Sequence, residues 1–112
     1  MQNEKTTSLE KAILHAIVSN DYGIHNGWYP KNDEEEKENN VVPSDYDVWN
    51  DCLDCYQEEV PGHPFPKKLA SLGGIVSSLS KKRLVYTGEE STCLSPEGWE
   101  VWKAEVRPLV LK

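Results

Sequence analysis

The residues with the most chemical promise lie between Pro61 and Gly88. That stretch holds five bases, Lys67, Lys68, Lys81, Lys82 and Arg83, and no acid. Asp33 to Glu59, just before it, holds eleven acids against one base, Lys37. Over the whole chain 19 acids face 12 bases, a formal charge of −7. Such a balance favours solubility and opposes indiscriminate binding to nucleic acid or anionic lipid. The separation of signs still allows one positive patch on an acidic molecule. The plain alternative is that both runs are solvated surface. Lysines near a helix C-terminus also answer the helix dipole.

Other constellations are thinner. Cys52-Leu53-Asp54-Cys55 is a C-x-x-C. Zinc wants a second ligand pair at similar spacing, and Cys93, His63, His15 and His25 offer none. Cys52 also falls on an apolar helical stripe, where a free cysteine packs as a small hydrophobe. Packing is therefore the first reading of Cys52, and metal ligation by Cys52 and Cys55 the second. His15 and His25 have no nucleophile or carboxylate at a diagnostic spacing. The chain has no phosphate loop, no G-x-S-x-G and no H-E-x-x-H. Neither enzyme activity nor a cofactor is expected. The four tryptophans, Trp28, Trp49, Trp99 and Trp102, are read as core.

At 112 residues a single domain over 1–112 is expected. No apolar run approaches the ~18 residues of a membrane span, and MQNEKTTSLEK lacks the apolar centre of a signal peptide. Three cysteines cannot all pair with one another. A reduced, cytoplasmic chain is the expectation.

The elements that must carry the bases follow from period and punctuation. Thr7-Ser8-Leu9-Glu10 fits a capping box. It opens a first helix whose stripe is Leu9, Ala12, Ile13, Ala16 and Ile17. Residues 24–44 read as an irregular stretch, with 31–40 (KNDEEEKENN) a mobile acidic loop and Val41-Val42 a possible short strand. A second helix is predicted from Ser44, since Trp49, Cys52, Leu53, Tyr56 and Val60 share a stripe. A third is predicted over Lys67–Lys82, with Leu69, Leu72, Ile75, Val76 and Leu79 inside. Its opposite face is small, and Gly73-Gly74 in mid-helix cost about 1 kcal/mol each against alanine. Close approach of another backbone or of a ligand would explain them. Two strands, Arg83–Thr87 and Ser91–Leu94, flank Gly88-Glu89-Glu90 as a hairpin. Ser95-Pro96-Glu97 opens a fourth helix that Pro108 should end, leaving the apolar tail 108–112.

Three helices, a hairpin and a helix is the order of a winged helix-turn-helix domain. The segment Leu79-Ser80-Lys81-Lys82-Arg83-Leu84-Val85, followed by Leu94-Ser95-Pro96-Glu97-Gly98, resembles MarR-like regulators from recognition helix through wing. It is also similar to small winged-helix proteins of phages and mobile elements. The likeness covers residues 68–104 by motif and 7–60 by element order. Two departures stand out. Arg83 occupies a position where the family often has glycine, and the wing tip is Glu89-Glu90, which phosphates repel.

The resemblance implies an α+β winged helix-turn-helix fold, with about four helices and a two- or three-stranded antiparallel sheet. It implies a transcription regulator whose third helix meets double-stranded DNA. Lys67, Lys68, Lys81, Lys82 and Arg83 would then face phosphates. Ser71, Ser77 and Ser78 would bond to phosphates or base edges, and Gly74 would let the helix sit deep. No Arg, Asn or Gln lies on that helix to make a bidentate base contact. MarR-like regulators pair through terminal helices, so a homodimer through Leu109, Val110 and Leu111 is implied, unless that tail folds back on its own core. The rival function is an interaction module that uses its acids to engage a basic protein, as a nucleic-acid mimic would. The charge map separates the two. Bases of 67–83 sharing one open face favour DNA, and acids of 45–59 overhanging that face favour the rival.

Overall fold

The computed structural model describes residues 6–20, 25–54 and 58–111. The first helix, α1 (Ser8–Ser19), begins as the capping box requires. The Thr7 hydroxyl accepts from the Glu10 amide at 3.1 Å, and the Glu10 carboxylate accepts from the Thr7 amide at 2.8 Å. Every residue from Ala12 to Ser19 is buried. A helix covered on all sides is a central one, whereas the stripe had implied one buried face and now leaves Leu9 42% exposed.

Two segments differ from the sequence reading. The stretch 31–40 is not irregular, because Asp33–Glu38 forms a helix, α2. Asn32 caps it by accepting from the Glu35 amide at 2.8 Å, and four acids in the first turn face the positive helix end. The second helix expected from Ser44 does not form. A 3₁₀ turn at Pro43–Asp45 leads into a strand, β1 (Asp47–Trp49), and a second 3₁₀ turn covers Asn50–Cys52. Alternation explains the strand: Val48 is buried between exposed Asp47 and Trp49. The helical stripe was therefore an alias, and Trp49 is 56% exposed. Tyr56, its fourth member, lies outside the described residues. Val41-Val42 is not a strand either.

The third long element keeps its type. Helix α3 (Leu69–Lys81) is followed by β2 (Val85–Thr87) and β3 (Ser91–Leu94). Lys67 and Lys68 precede the helix, and Arg83 lies before the strand it was expected to open. Arg83 has φ +64°, a left-handed residue where glycine is the usual choice. It ends α3 in a Schellman turn: the Arg83 amide donates to Ser80 O at 2.9 Å and the Leu84 amide to Leu79 O at 2.9 Å. The sheet order is β1-β3-β2, antiparallel throughout.

Ser95 caps the last helix, accepting from the Gly98 amide at 2.9 Å. The helix runs as α4 (Pro96–Val101), a π-helical turn at Trp102–Val106, and α5 (Arg107–Val110). Pro108 therefore does not end it. The π turn lets the Arg107 amide reach back to Trp102 O. Pro108 then falls in the first turn of a fresh α segment, where a missing N–H costs little. Of the apolar tail, Leu109 and Val110 pack against the chain's own core, and Leu111 is 39% exposed.

The described residues thus form an α+β domain of four helices, counting 96–110 as one, over a small three-stranded antiparallel sheet. The core lies between α1, α3, the last helix and the inner sheet face. Trp99 and Trp102 stack at 4.9 Å inside it. Among the described residues no helix is long and apolar enough to cross a membrane.

Gly98 is where α4 meets the turn after α3. A Cβ there would collide with the backbone carbonyl of Leu84. Gly98→Ala should cost roughly 1–3 kcal/mol by urea unfolding. Gly88→Ala, whose Cβ would rest 3.7 Å from Ser91 O, should change the midpoint little.

Candidate nucleic-acid interface

One buried carboxylate orients α3. Glu10 is 2% exposed and accepts from Ser78 Oγ at 2.5 Å and from Lys82 Nζ at 2.7 Å. Burial pushes its pKa up, but Lys82, Ser78 and the Thr7 amide outweigh burial and hold it below the usual carboxylate value. Ser78 and Lys82 are one helical turn apart, so Glu10 fixes the rotation of α3 about its axis. Both residues were expected to face DNA, and instead they turn inward to this carboxylate. Removing either partner would leave a buried charge without full compensation, which is strongly destabilising.

The opposite face of α3 is open. Ser71, Gly73, Gly74, Ser77 and Lys81 are exposed, and Lys67, Lys68 and Arg83 are exposed at its two ends. Among the described residues none of these four bases forms an ion pair. A Cβ built at Gly73 or Gly74 meets nothing within 4 Å. Close packing inside the chain does not account for the two glycines.

Acids stand beside this face on its sheet side, and exposed Glu97 shares a hollow with Ser80 and Arg83 at the C-terminal end of α3. Asp51 and Asp54 line a cavity that Gly73 and Val76 close from the α3 side. The hairpin tip, Glu89-Glu90, is exposed, and Glu90 O takes the Asn50 amide at 2.7 Å. The charge pattern is therefore mixed: four of the five bases are exposed at the ends of the open face while Lys82 turns inward, and Asp51 and Asp54 of the acidic run lie along its sheet-side edge.

A second constellation had no signal in the sequence. His15 is completely buried, and its Nδ1 accepts from Trp102 Nε1–H at 3.0 Å. The neutral ring then carries its proton on Nε2, which donates to Glu58 at 3.0 Å. Tyr29 donates to the same carboxylate oxygen at 2.7 Å. A histidine–carboxylate pair resembles acid–base machinery, but this histidine has no accessible edge, and Ser19 Oγ is spent on His15 O and the Glu58 amide. The group holds α1, the last helix and residues 29 and 58 together.

Cys52 and Cys93 are half-buried free thiols, and Cys55 lies outside the described residues. Among the described residues no three His, Cys, Asp or Glu side chains gather as metal ligands would. Comparison of the chain with protein-family models, with curated proteins and with solved structures finds no match.

Burial lowers the pKa of His15 below the ordinary 6.5; Glu58 opposes this and Lys31 adds to it. The unfolded chain thus takes up this proton at a higher pH than the folded one. The stability contributed by neutral His15 is whole above pH 6.5 and is lost as pH falls through the folded value. Urea midpoints should decline from about pH 7 to about pH 5. His15→Gln, which keeps a donor toward Glu58 without titrating, should flatten that decline.

Proposed function

We propose that this chain is a DNA-binding regulator with a winged-helix fold, of phage or mobile-element kind, and that α3 is its recognition element. One observation carries the reading. The open face of α3 is small and neutral in the middle and basic at both ends. Lys68 and Lys81 are separated by about 20 Å at 1.5 Å per residue. A major groove about 12 Å wide is bordered by phosphates on both sides. Bases at the two ends of an inserted helix can reach both borders, and glycine and serine between them let the backbone approach. The α3–hairpin–α4 order supports β2 and β3 as the wing. Arg83 adds a further point: a left-handed non-glycine residue is a strain that functional positions tolerate. It puts a cation where the turn itself would favour glycine.

Against the helix-turn-helix pattern, the described residues just before α3 are not helical. The positioning role falls instead to α1, through Glu10. Asp51 and Asp54 beside α3 favour a second reading, an acidic module that engages a basic protein partner without DNA.

Fluorescence anisotropy with a labelled duplex at ~50 mM salt separates the two. Under the DNA reading, Lys67→Ala and Lys81→Ala each weaken binding and reduce the salt slope by about 1. Gly74→Ala should stabilise the fold by up to about 1 kcal/mol and still weaken binding. Arg83→Gly should relieve roughly 1 kcal/mol of backbone strain and do the same. Loss of binding in a more stable protein cannot come from unfolding. No binding by the wild-type chain hands the function to the second reading.

A further inference from the structure

The cavity beside Gly73 has a volume of about 450 Å³, within the ~300–1,000 Å³ of small-molecule sites. It lies between α3 and the end of the sheet, open on one side. Leu53 and Leu72 are buried in its floor and Val76 is half-buried. Asp51 and Asp54 stand exposed on its rim. The buried Thr92 hydroxyl donates to Asn50 Oδ1 at 2.9 Å and stiffens the wall between them. Among the described residues no base lines the cavity. A neighbouring hollow, shared by Trp49, Asp51, Glu89 and Glu90, extends the acidic field across the hairpin tip.

Gly73 is the remaining wall. Helix propensity favours alanine at this position, and a Cβ would touch nothing. Its glycine keeps the α3 side of the cavity low and exposes bare backbone to whatever enters. We propose that this cavity binds a small organic cation, an ammonium group on a compact apolar body, with the body on Leu72 and Val76 and the charge at Asp51 and Asp54. An apolar floor alone would take a neutral ligand as readily. The one-signed rim selects the cation and repels carboxylates and phosphates. This site stands whether or not α3 meets DNA, because it needs only the fold.

The test is a ¹⁵N–¹H NMR titration of the full chain with 2-phenylethylammonium, with 2-phenylethanol and phenylacetate as neutral and anionic counterparts. Phenylethylammonium should give saturable shifts at the amides of Gly73, Thr87 and Thr92. The alcohol should bind at least about five-fold more weakly, and phenylacetate should leave those amides unmoved. Asp51→Asn and Asp54→Asn should each narrow the gap between cation and alcohol. Gly73→Leu should abolish the shifts at Thr87 and Thr92 without lowering Tm. Should that variant fail to fold, Gly73→Ala carries the same test through weakened binding. Equal affinity for the three probes, shifts that never saturate, or undiminished binding by the Gly73 variants would overturn the proposal.

Discussion

A carboxylate taken out of water costs several kcal/mol unless its lone pairs are met, and Glu10 meets that demand from three directions. Its partners are the Thr7 amide, the Ser78 hydroxyl and the Lys82 ammonium. The first starts α1. The other two are spaced i and i+4 on α3, so holding both leaves that helix one rotational setting. Leu72 and Leu79 then point to the core, and Gly74, Ser77 and Lys81 point out. The open face is thus set by a single ion pair on the opposite side of the helix. Glu10 serves as helix cap and helix clamp at once.

The aromatic core makes a similar demand with the opposite sign. Tyr46, Trp99, Trp102 and His15 form a continuous stack, with ring centroids 5.2, 4.9 and 6.1 Å apart. Indole and phenol edges carry donors that need acceptors when buried. Acids supply them. Trp99 donates to Glu36 at 2.8 Å, and Tyr29 donates to Glu58. Lys103 joins Glu36 at 2.9 Å, and Arg107 joins Asp33 at 3.0 Å. These ties give the acidic stretch its order: α2 is a short, charged helix with little intrinsic stability, docked by bonds that cross from 33 and 36 to the last helix. Part of the −7 formal charge is therefore structural acceptor capacity.

Legibility in the sequence followed the range of the interaction. Thr7-Ser8-Leu9-Glu10 and Ser95-Pro96-Glu97 announce their helix starts because a cap is satisfied within three residues. The hairpin at 85–94 and the apolar stripe of α3 are equally local. The region 44–60 was not legible. Trp49, Cys52, Leu53 and Val60 match a helical period, but β3 lacks a second partner without Asp47–Trp49, and that pairing spans more than forty residues. Pro108 was misleading for a related reason: one π turn upstream changes which amide the helix must supply. At the candidate interface, the exposed bases Lys67, Lys68, Lys81 and Arg83 could be picked from charge alone. The inward turn of Ser78 and Lys82 could not, since its cause is a glutamate on α1. Arg83 shows the reverse. Its departure from glycine was visible as a residue, and only the backbone shows that it keeps the glycine conformation.

The placement of charge around α3 then limits how a polyanion can approach. On one long edge of the helix, Glu10 and Lys82 neutralise each other and leave no net field. On the other edge, Asp51, Asp54 and the tip acids Glu89 and Glu90 present carboxylates to solvent. Attraction remains at the helix ends, at Lys67 and Lys68 and at Lys81 and Arg83, about 20 Å apart along the axis. Under the proposed DNA reading, a duplex meeting these ends is pushed away from the hairpin by those exposed carboxylates, the more strongly the lower the salt. On that reading the helix would enter and the hairpin would stand off, so the protein would contact fewer phosphates than a winged helix with a basic tip. Affinity from counterion release falls with that number. The two proposals meet on this edge: Asp51 and Asp54, which line the cavity at Gly73, would repel a phosphate and attract a cation with the same charge.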